Sequence, residues 1–360
     1  MNITPQQNRI LRLGAGIIIL IYLLLTFFFG NFLSEARHGS LTMHAYQLTL
    51  KNLKTVYPPK KQDFTEVKVG TYLENIHNLS IANSSFSADL YVWFSWKGAK
   101  ELDPGETFQV AGGTIDAKEL SSEHHLADGR NYQRYKLRIT MNKVFDIRRL
   151  SLEDHLIRIF IEDKKHDAAT MRYVPDENSA IAPKIHIPGF TVTGFDEVAK
   201  PHEYKSTFSS PNAEGLSRVF SEYTLAIAIH RPGFGFYLKI FLPFFLSVVL
   251  GLMVLTTTPD MVDLRMGLAG AAFFGVMANT YVISALVPPE SGTFGLLDIL
   301  NIISLFSVIL IVAGGLIAHK LEVKNHHNDF IVAFDRMLLY TIGMGYLTLS
   351  IVLPLCAYSF

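Results

Sequence analysis

The chain has 360 residues, with 32 basic against 32 acidic side chains, 49% hydrophobic content and only 18% charged content. That balance gives no reason to expect a nucleic-acid binder, whose Lys and Arg concentrate on one face, and a single cysteine, Cys356, excludes an intrachain disulfide framework. Positive mean hydropathy with so few charges points to a membrane protein that carries a polar domain.

Five stretches come near the ~20 apolar residues that a bilayer core demands. They are Leu13–Leu33, Tyr237–Leu255, Gly267–Val287, Leu296–Ala318 and Met337–Tyr358. The first span has two readings. Ser34-Glu35-Ala36 fits a signal-peptidase site, which would leave a mature chain starting at Arg37. The apolar run GAGIIILIYLLLTFFFG exceeds the ~7–15 residues of a cleaved signal core, which favours an uncleaved anchor. Arg9 and Arg12 precede this span, while Lys320, Lys324 and Arg336 surround the loop after the fourth. Cytoplasmic loops carry the excess of Lys and Arg, so the large polar block and the C-terminus are expected outside.

Three domains are expected: a tail and anchor over residues 1–36, a polar domain over 37–235, and four helices over 236–360. In the polar domain, TEVKVGTYLENIHNLSI places Val67, Val69, Thr71, Leu73 and Leu79 on one face at a spacing of two, with Ile76 on the other. A second strand, SFSADLYVWFSWKG, follows the turn Ala82-Asn83-Ser84. Further strands are expected at Tyr135–Met141, Leu156–Glu162, Phe190–Phe195 and Tyr223–His230, separated by breakers such as Asp103-Pro104-Gly105 and Asp128-Gly129. Many short strands without an intervening helical pattern point to an extracytoplasmic antiparallel β-sandwich. The fold class is therefore a membrane α+β protein, with one N-terminal helix before the sandwich and a four-helix transmembrane bundle after it.

Local motifs carry a resemblance to the pentameric ligand-gated ion channels. VKVGTYLENIHNLSIANSSFSADLYVWFSW is similar to the first strand, turn and second strand of that family's outer domain. FDIRRLSLEDHLIRIFIED is similar to the Cys-loop region, and IAIHRPGFGFYLKIFLPFFLSVVLG to the pre-membrane arginine, aromatic pair and first-helix proline. LVPPESGTFGLLDIL resembles the loop between the second and third channel helices. Two departures stand out: Leu150-Ser151-Leu152-Glu153 replaces the family's Phe-Pro-Phe-Asp, and no cysteines bracket the region, as in prokaryotic members.

The resemblance implies a homopentamer in the cell inner membrane, with the large domain periplasmic. It implies passive transport of cations, gated by an unknown small-molecule or ion ligand. It also implies that the second channel helix lines the pore through Gly267, Ala271, Phe274, Ala278, Tyr281 or Val282, and Ala285, with Asp263 at the cytoplasmic mouth. Arg265 lies two residues on and is expected either to cancel the field of Asp263 or to turn toward lipid headgroups. Gly- and Ala-rich membrane helices also serve close packing, which is the competing account of this stretch. By the same resemblance Arg231, Glu153 and Asp154 couple the outer domain to the helices, and Tyr173, Tyr204 and Phe208 are the ligand candidates. The runner-up is a non-conducting pentameric sensor or scaffold of the same fold, motivated by a pore helix without hydroxyls at Gly267 and Ala271.

No phosphate loop, nucleophile elbow or metal-spaced Cys/His cluster is readable, so no enzyme activity, cofactor or metal site is expected. Glu123-His124-His125 and His326-His327 read as exposed loops, since adjacent histidines do not converge on one ion.

Overall fold

A computed structural model describes residues 3–48, 64–205, 218–288, 292–325 and 329–358. The His326-His327 pair and Phe208 lie outside these limits. In chain order the described elements begin with α1 (Pro5–Leu48), β1 (Thr65–Ser80), β2 (Ser85–Lys97), α2 (Pro104–Thr107), β3 (Phe108–Ala111) and β4 (Gly113–His125). Next come β5 (Arg130–Asn142), β6 (Asp154–Asp163), β7 (Met171–Pro175), β8 (Ala180–Ile181), β9 (Thr191–Tyr204) and β10 (Arg218–His230). The chain then continues through α3 (Gly235–Met253), α4 (Val262–Leu286), α5 (Leu296–Asn325) and α6 (Asp329–Ala357).

These elements form two compact units. One holds Met1–Leu41, Asp146–Glu153 and Pro232–Phe360; the other holds Thr42–Phe145 and Asp154–Arg231. The segment Asp146–Glu153 therefore groups with the helices, although it lies within the 37–235 stretch expected as the polar domain.

The strand unit contains two sheets. The first runs β4-β5-β2-β1-β7, with β8 also on β1; β7 and β8 pair with β1 in parallel and the others are antiparallel. The second is antiparallel throughout, in the order β3-β6-β10-β9. Alternation decides which faces meet. Phe86, Ala88, Leu90, Val92 and Phe94 of β2 and Ile157, Ile159 and Ile161 of β6 are buried at every second position. With Leu225, Ile227 and Ile229 of β10 they form one apolar core drawn from both sheets. Each Val, Leu, Ile or Phe among them, removed from water, contributes about 1.5–3 kcal/mol. Gly70 stands opposite Trp93, and a Cβ there would overlap the indole ring, so only glycine lets that ring lie across β1.

The strict spacing of two fails at Ile76. Ile76 is fully buried beside Leu73, not on the opposite face, because the β1–β2 register shifts between Leu73 and Asn75. A bulge inserts one residue and resets the parity of every side chain after it.

The helical unit has five helices long and apolar enough to cross a membrane, so the chain reads as a membrane protein. Leu13, Ile17, Leu20, Leu24, Phe27 and Phe28 of α1 are exposed, whereas Tyr22, Leu33 and Ala36 are buried. Tyr22 explains the docking of α1. Its hydroxyl shares a 2.6 Å hydrogen bond with Ser307 Oγ on α5. Its ring lies where a Cβ on Gly345 of α6 would come within 2.6 Å. Between α3 and α4, Asn279 Nδ2 donates to Ile240 O at 3.0 Å. Between α5 and α6, Ser304 and Tyr346 share a 2.8 Å hydrogen bond. In hydrocarbon, polar side chains without such partners are costly, so each bond fixes a rotational setting of its helix.

Candidate functional site

Helix α4 has two unlike faces. Arg265, Ala269, Ala272, Val276, Asn279 and Ile283, at spacings of three and four, are buried against the rest of the helical unit. Asp263, Gly267, Ala271, Phe274, Ala278, Tyr281, Val282 and Ala285 are all exposed on the single chain. Phe274 is 72% and Tyr281 78% exposed, against 40% for the neighbouring Phe273. The small residues divide the same way. Gly275 lies against Ser247 of α3, where a Cβ would collide with the hydroxyl, while Gly267 and Gly270 face open space. Close packing therefore accounts for Gly275 and for Ala269 and Ala272, but not for Gly267 or Ala271.

Arg265 corrects an expectation. It neither faces its neighbour Asp263 nor turns to the headgroups; it is 2% exposed within the helical unit. One terminal nitrogen makes a 2.6 Å ion pair with Asp335 of α6 and also donates to Thr257 O at 2.5 Å. The other donates to Gly315 O of α5 at 3.5 Å. A guanidinium with several forked donors can tie α4, α5, α6 and the α3–α4 turn in this way, where a single-point cation would serve fewer partners. Asp263 is left as the one charged side chain among the exposed residues of α4.

The segment Asp146–Glu153 is held within the helical unit by its backbone. Leu296 N donates to Arg148 O at 2.8 Å, and Gly295 offers no Cβ, which would otherwise approach Ile147 O within 2.8 Å. Arg149 donates to Ala357 O at 3.1 Å, and burial pushes its guanidinium down to about 10 despite the nearby carboxylates of Asp146 and Glu153. Ser151 takes a left-handed φ of 85°, an angle proline cannot adopt. Glu153 is 1% exposed in this unit. In the strand unit, Arg231 lies over the Phe190 ring at 4.2 Å and donates to Gly189 O at 3.4 Å. Asp154 pairs across the β6–β10 ladder with His230, the residue before Arg231.

The ligand candidates separate. Tyr173 is 2% exposed and packs 6.1 Å from Phe94 in the sheet core, so it is a packing residue with no open face for a ligand. Parallel pairing of β7 with β1 turns Met171 and Tyr173 inward together. Phe208 lies outside the described residues. Tyr204 joins a polar group on the second sheet. Its hydroxyl donates to Glu162 Oε1 at 2.8 Å, and its ring lies 4.5 Å from His202. Burial, followed by Glu162, pushes this phenol up to about 12. His202 Nδ1 lies 2.6 Å from Glu162 Oε2 and 3.6 Å from Glu222 Oε2. The sequence reading expected no metal ligands, yet one ligand atom each from Glu162, His202 and Glu222 all lie within 4.8 Å of one another.

Glu123-His124-His125 is not a loop; it ends strand β4, where His125 is bonded to Asn131 at 2.8 Å and Glu123 at 3.0 Å. On the first sheet, Tyr72, Tyr91, Trp93, Tyr132, Arg134 and Asp176 line a groove of about 560 Å³. Arg134 and Lys136 already cover the Tyr91 ring, at 5.7 and 5.3 Å. No protein-family model and no curated protein matches this chain.

Proposed function

We propose that the chain is one subunit of a homopentameric ligand-gated cation channel in a cell inner membrane, in which the strand unit is a periplasmic β-sandwich and α3–α6 form the channel's four-helix bundle. The observation that carries this reading is the division of α4. Every residue expected to face a pore is uncovered in the single chain, while the opposite edge is packed. Five copies of α4 around an axis would cover that face with one another. Phe274 would then form an apolar ring near mid-membrane, and apolar constrictions gate by losing their water. Sequestration of Arg265 by Asp335 leaves Asp263 to set the sign of the field at the cytoplasmic mouth, which favours cations.

Arg231, Glu153 and Asp154 are the residues assigned to coupling, with Asp146–Glu153 as the moving part. Its ligand is a small molecule or an ion, and its other surroundings are membrane lipid. The second reading is a non-conducting pentameric sensor of the same fold, favoured by the absence of hydroxyl side chains at Gly267, Ala271 and Phe274. Currents across a planar bilayer holding the purified protein, screened over pH, calcium and small amines, decide between the two. A particle that is pentameric but silent under every condition supports the sensor, and a monomer or dimer defeats both.

A further inference from the structure

The second sheet carries a row of four residues paired directly across its strands: Gln109 on β3, Glu162 on β6, Glu222 on β10 and Lys200 on β9. Two carboxylates are thus exactly opposed on adjacent strands, an arrangement that costs stability unless something positive bridges them. Both are enclosed, at 1% and 6% exposure. The groups facing them are few. Lys200 Nζ lies 3.2 Å from Glu222 Oε1, Thr224 donates to the same oxygen at 3.3 Å, and Gln109 donates to Glu162 Oε1 at 3.4 Å. Tyr204 also donates to Glu162, and His202 approaches both acids from the next position along β9.

We propose that Glu162, His202 and Glu222 form a binding site for a first-row transition-metal dication of the Zn²⁺ type. The site lies in the strand unit and is independent of whether the protein conducts. One imidazole nitrogen and two carboxylate oxygens within 4.8 Å of one another suit a four-coordinate ion, with a water as the fourth ligand. Imidazole selects zinc-like metals over calcium and magnesium, which take oxygen alone. The side chain of His202 is 37% exposed, so the ion has an entry path beside it, whereas the acids are closed from other directions. Metal entry requires His202 Nδ1 to give up any proton it shares with Glu162 and requires Lys200 to release Glu222. An imidazole must be deprotonated to ligate, so binding weakens as pH falls.

The test is isothermal titration of tag-free full-length protein in detergent with Zn²⁺, after dialysis against a chelator. The expected result is one saturable site per chain, lost or weakened at least about 100-fold in Glu162→Gln and Glu222→Gln, which is the upper end of what even an outer partner of a metal ligand costs. If those variants fold poorly, His202→Ala on a partly exposed side chain serves in their place and is expected to lose the site as well. A combined Glu123→Gln, His124→Ala, His125→Ala variant controls for the other acid–histidine group and is expected to bind as wild type. Absence of a one-per-chain site, or its survival in His202→Ala, overturns the proposal. Because the readout is binding, silence in a bilayer would count against the channel and not against the metal.

Discussion

Replacing Asp335 with Ala leaves Arg265 2% exposed, with the carbonyls of Thr257 and Gly315 as its acceptors among the described residues. Carbonyls accept its protons but do not neutralise its charge. Removing one partner of a buried ion pair costs about 3–5 kcal/mol, since the survivor stays desolvated. For a body the size of the helical unit each kcal/mol moves the melting temperature by about 2–4 °C, so the drop is about 6–20 °C. Asp335→Asn keeps the shape and one acceptor, and falls between that and wild type. The double variant Arg265→Met, Asp335→Leu removes both charges at similar volume and is expected within about 1–2 kcal/mol of wild type, because well-packed apolar replacements of buried pairs are often neutral. The assay is thermal unfolding in detergent, followed by the fraction of monodisperse protein, run as a double-mutant cycle. If Asp335→Ala melts within about 2 °C of wild type, less than a single kcal/mol, the pair does not hold α4 and the argument for an isolated Asp263 fails with it.

Phe274→Ser is expected to produce ligand-independent leak or toxicity on expression, while Phe273→Ser, beside the α5 groove lined by Val308 and Ile309, disturbs packing without leak. Equal conductance of both serine variants and wild type in a bilayer removes the gating ring. Gly345→Val fills the space of the Tyr22 ring and should cost about 1–3 kcal/mol by overpacking, freeing α1 so that a cysteine placed at Thr26 becomes more reactive to a lipid-soluble maleimide. Unchanged reactivity refutes the docking argument. Asp176 is 2.8 Å from the Trp93 indole; burial would raise its carboxyl, but the donors of Trp93 and Asn178 outweigh it and hold it below the ordinary value. A lowered folded-state value stabilises above the unfolded pKa of about 3.9, and that stability is lost as pH falls through the folded one. Trp93→Phe should therefore narrow its stability gap to wild type on titration from pH 6 into that acid range, and a gap that stays constant refutes the assignment.

The membrane segments were legible because hydropathy summed over about 20 residues needs no partner to be read. The strands facing the core were legible by alternation, as in Phe86 to Phe94. Strand β4 was not. Gly113–His125 lies at a sheet edge with most of its side chains exposed, so neither face imposes an apolar period. Ile76 was misplaced because a bulge depends on its partner strand. The positions from Gly267 to Ala285 assigned to the pore face of α4 were reached by counting at helical spacing, but its buried edge was not assigned partners, since Asp335 lies 70 residues from Arg265. The Glu162 cluster was hidden for the same reason. Its members come from three strands, and the only signal in each strand is an acid or histidine at an outward-facing position, which is ordinary for a solvated sheet.

The seating of Tyr22 has a consequence for how the molecule is made. Helix α1 leaves the ribosome long before the groups that receive it, which are Ser307 and Gly345, with Cys356 against Gly30 and Tyr358 O accepting from Arg37. At about 5–20 residues per second, roughly 15–60 s separate the emergence of α1 from that of its partners. During that interval Tyr22 carries a phenol in the bilayer without Ser307, and the exposed small-residue face of α4 has not yet been made. Until then α1 lacks the partners that seat it in the finished helical unit. Any factor that shields α1 during that interval acts on yield, while leaving the finished protein unchanged.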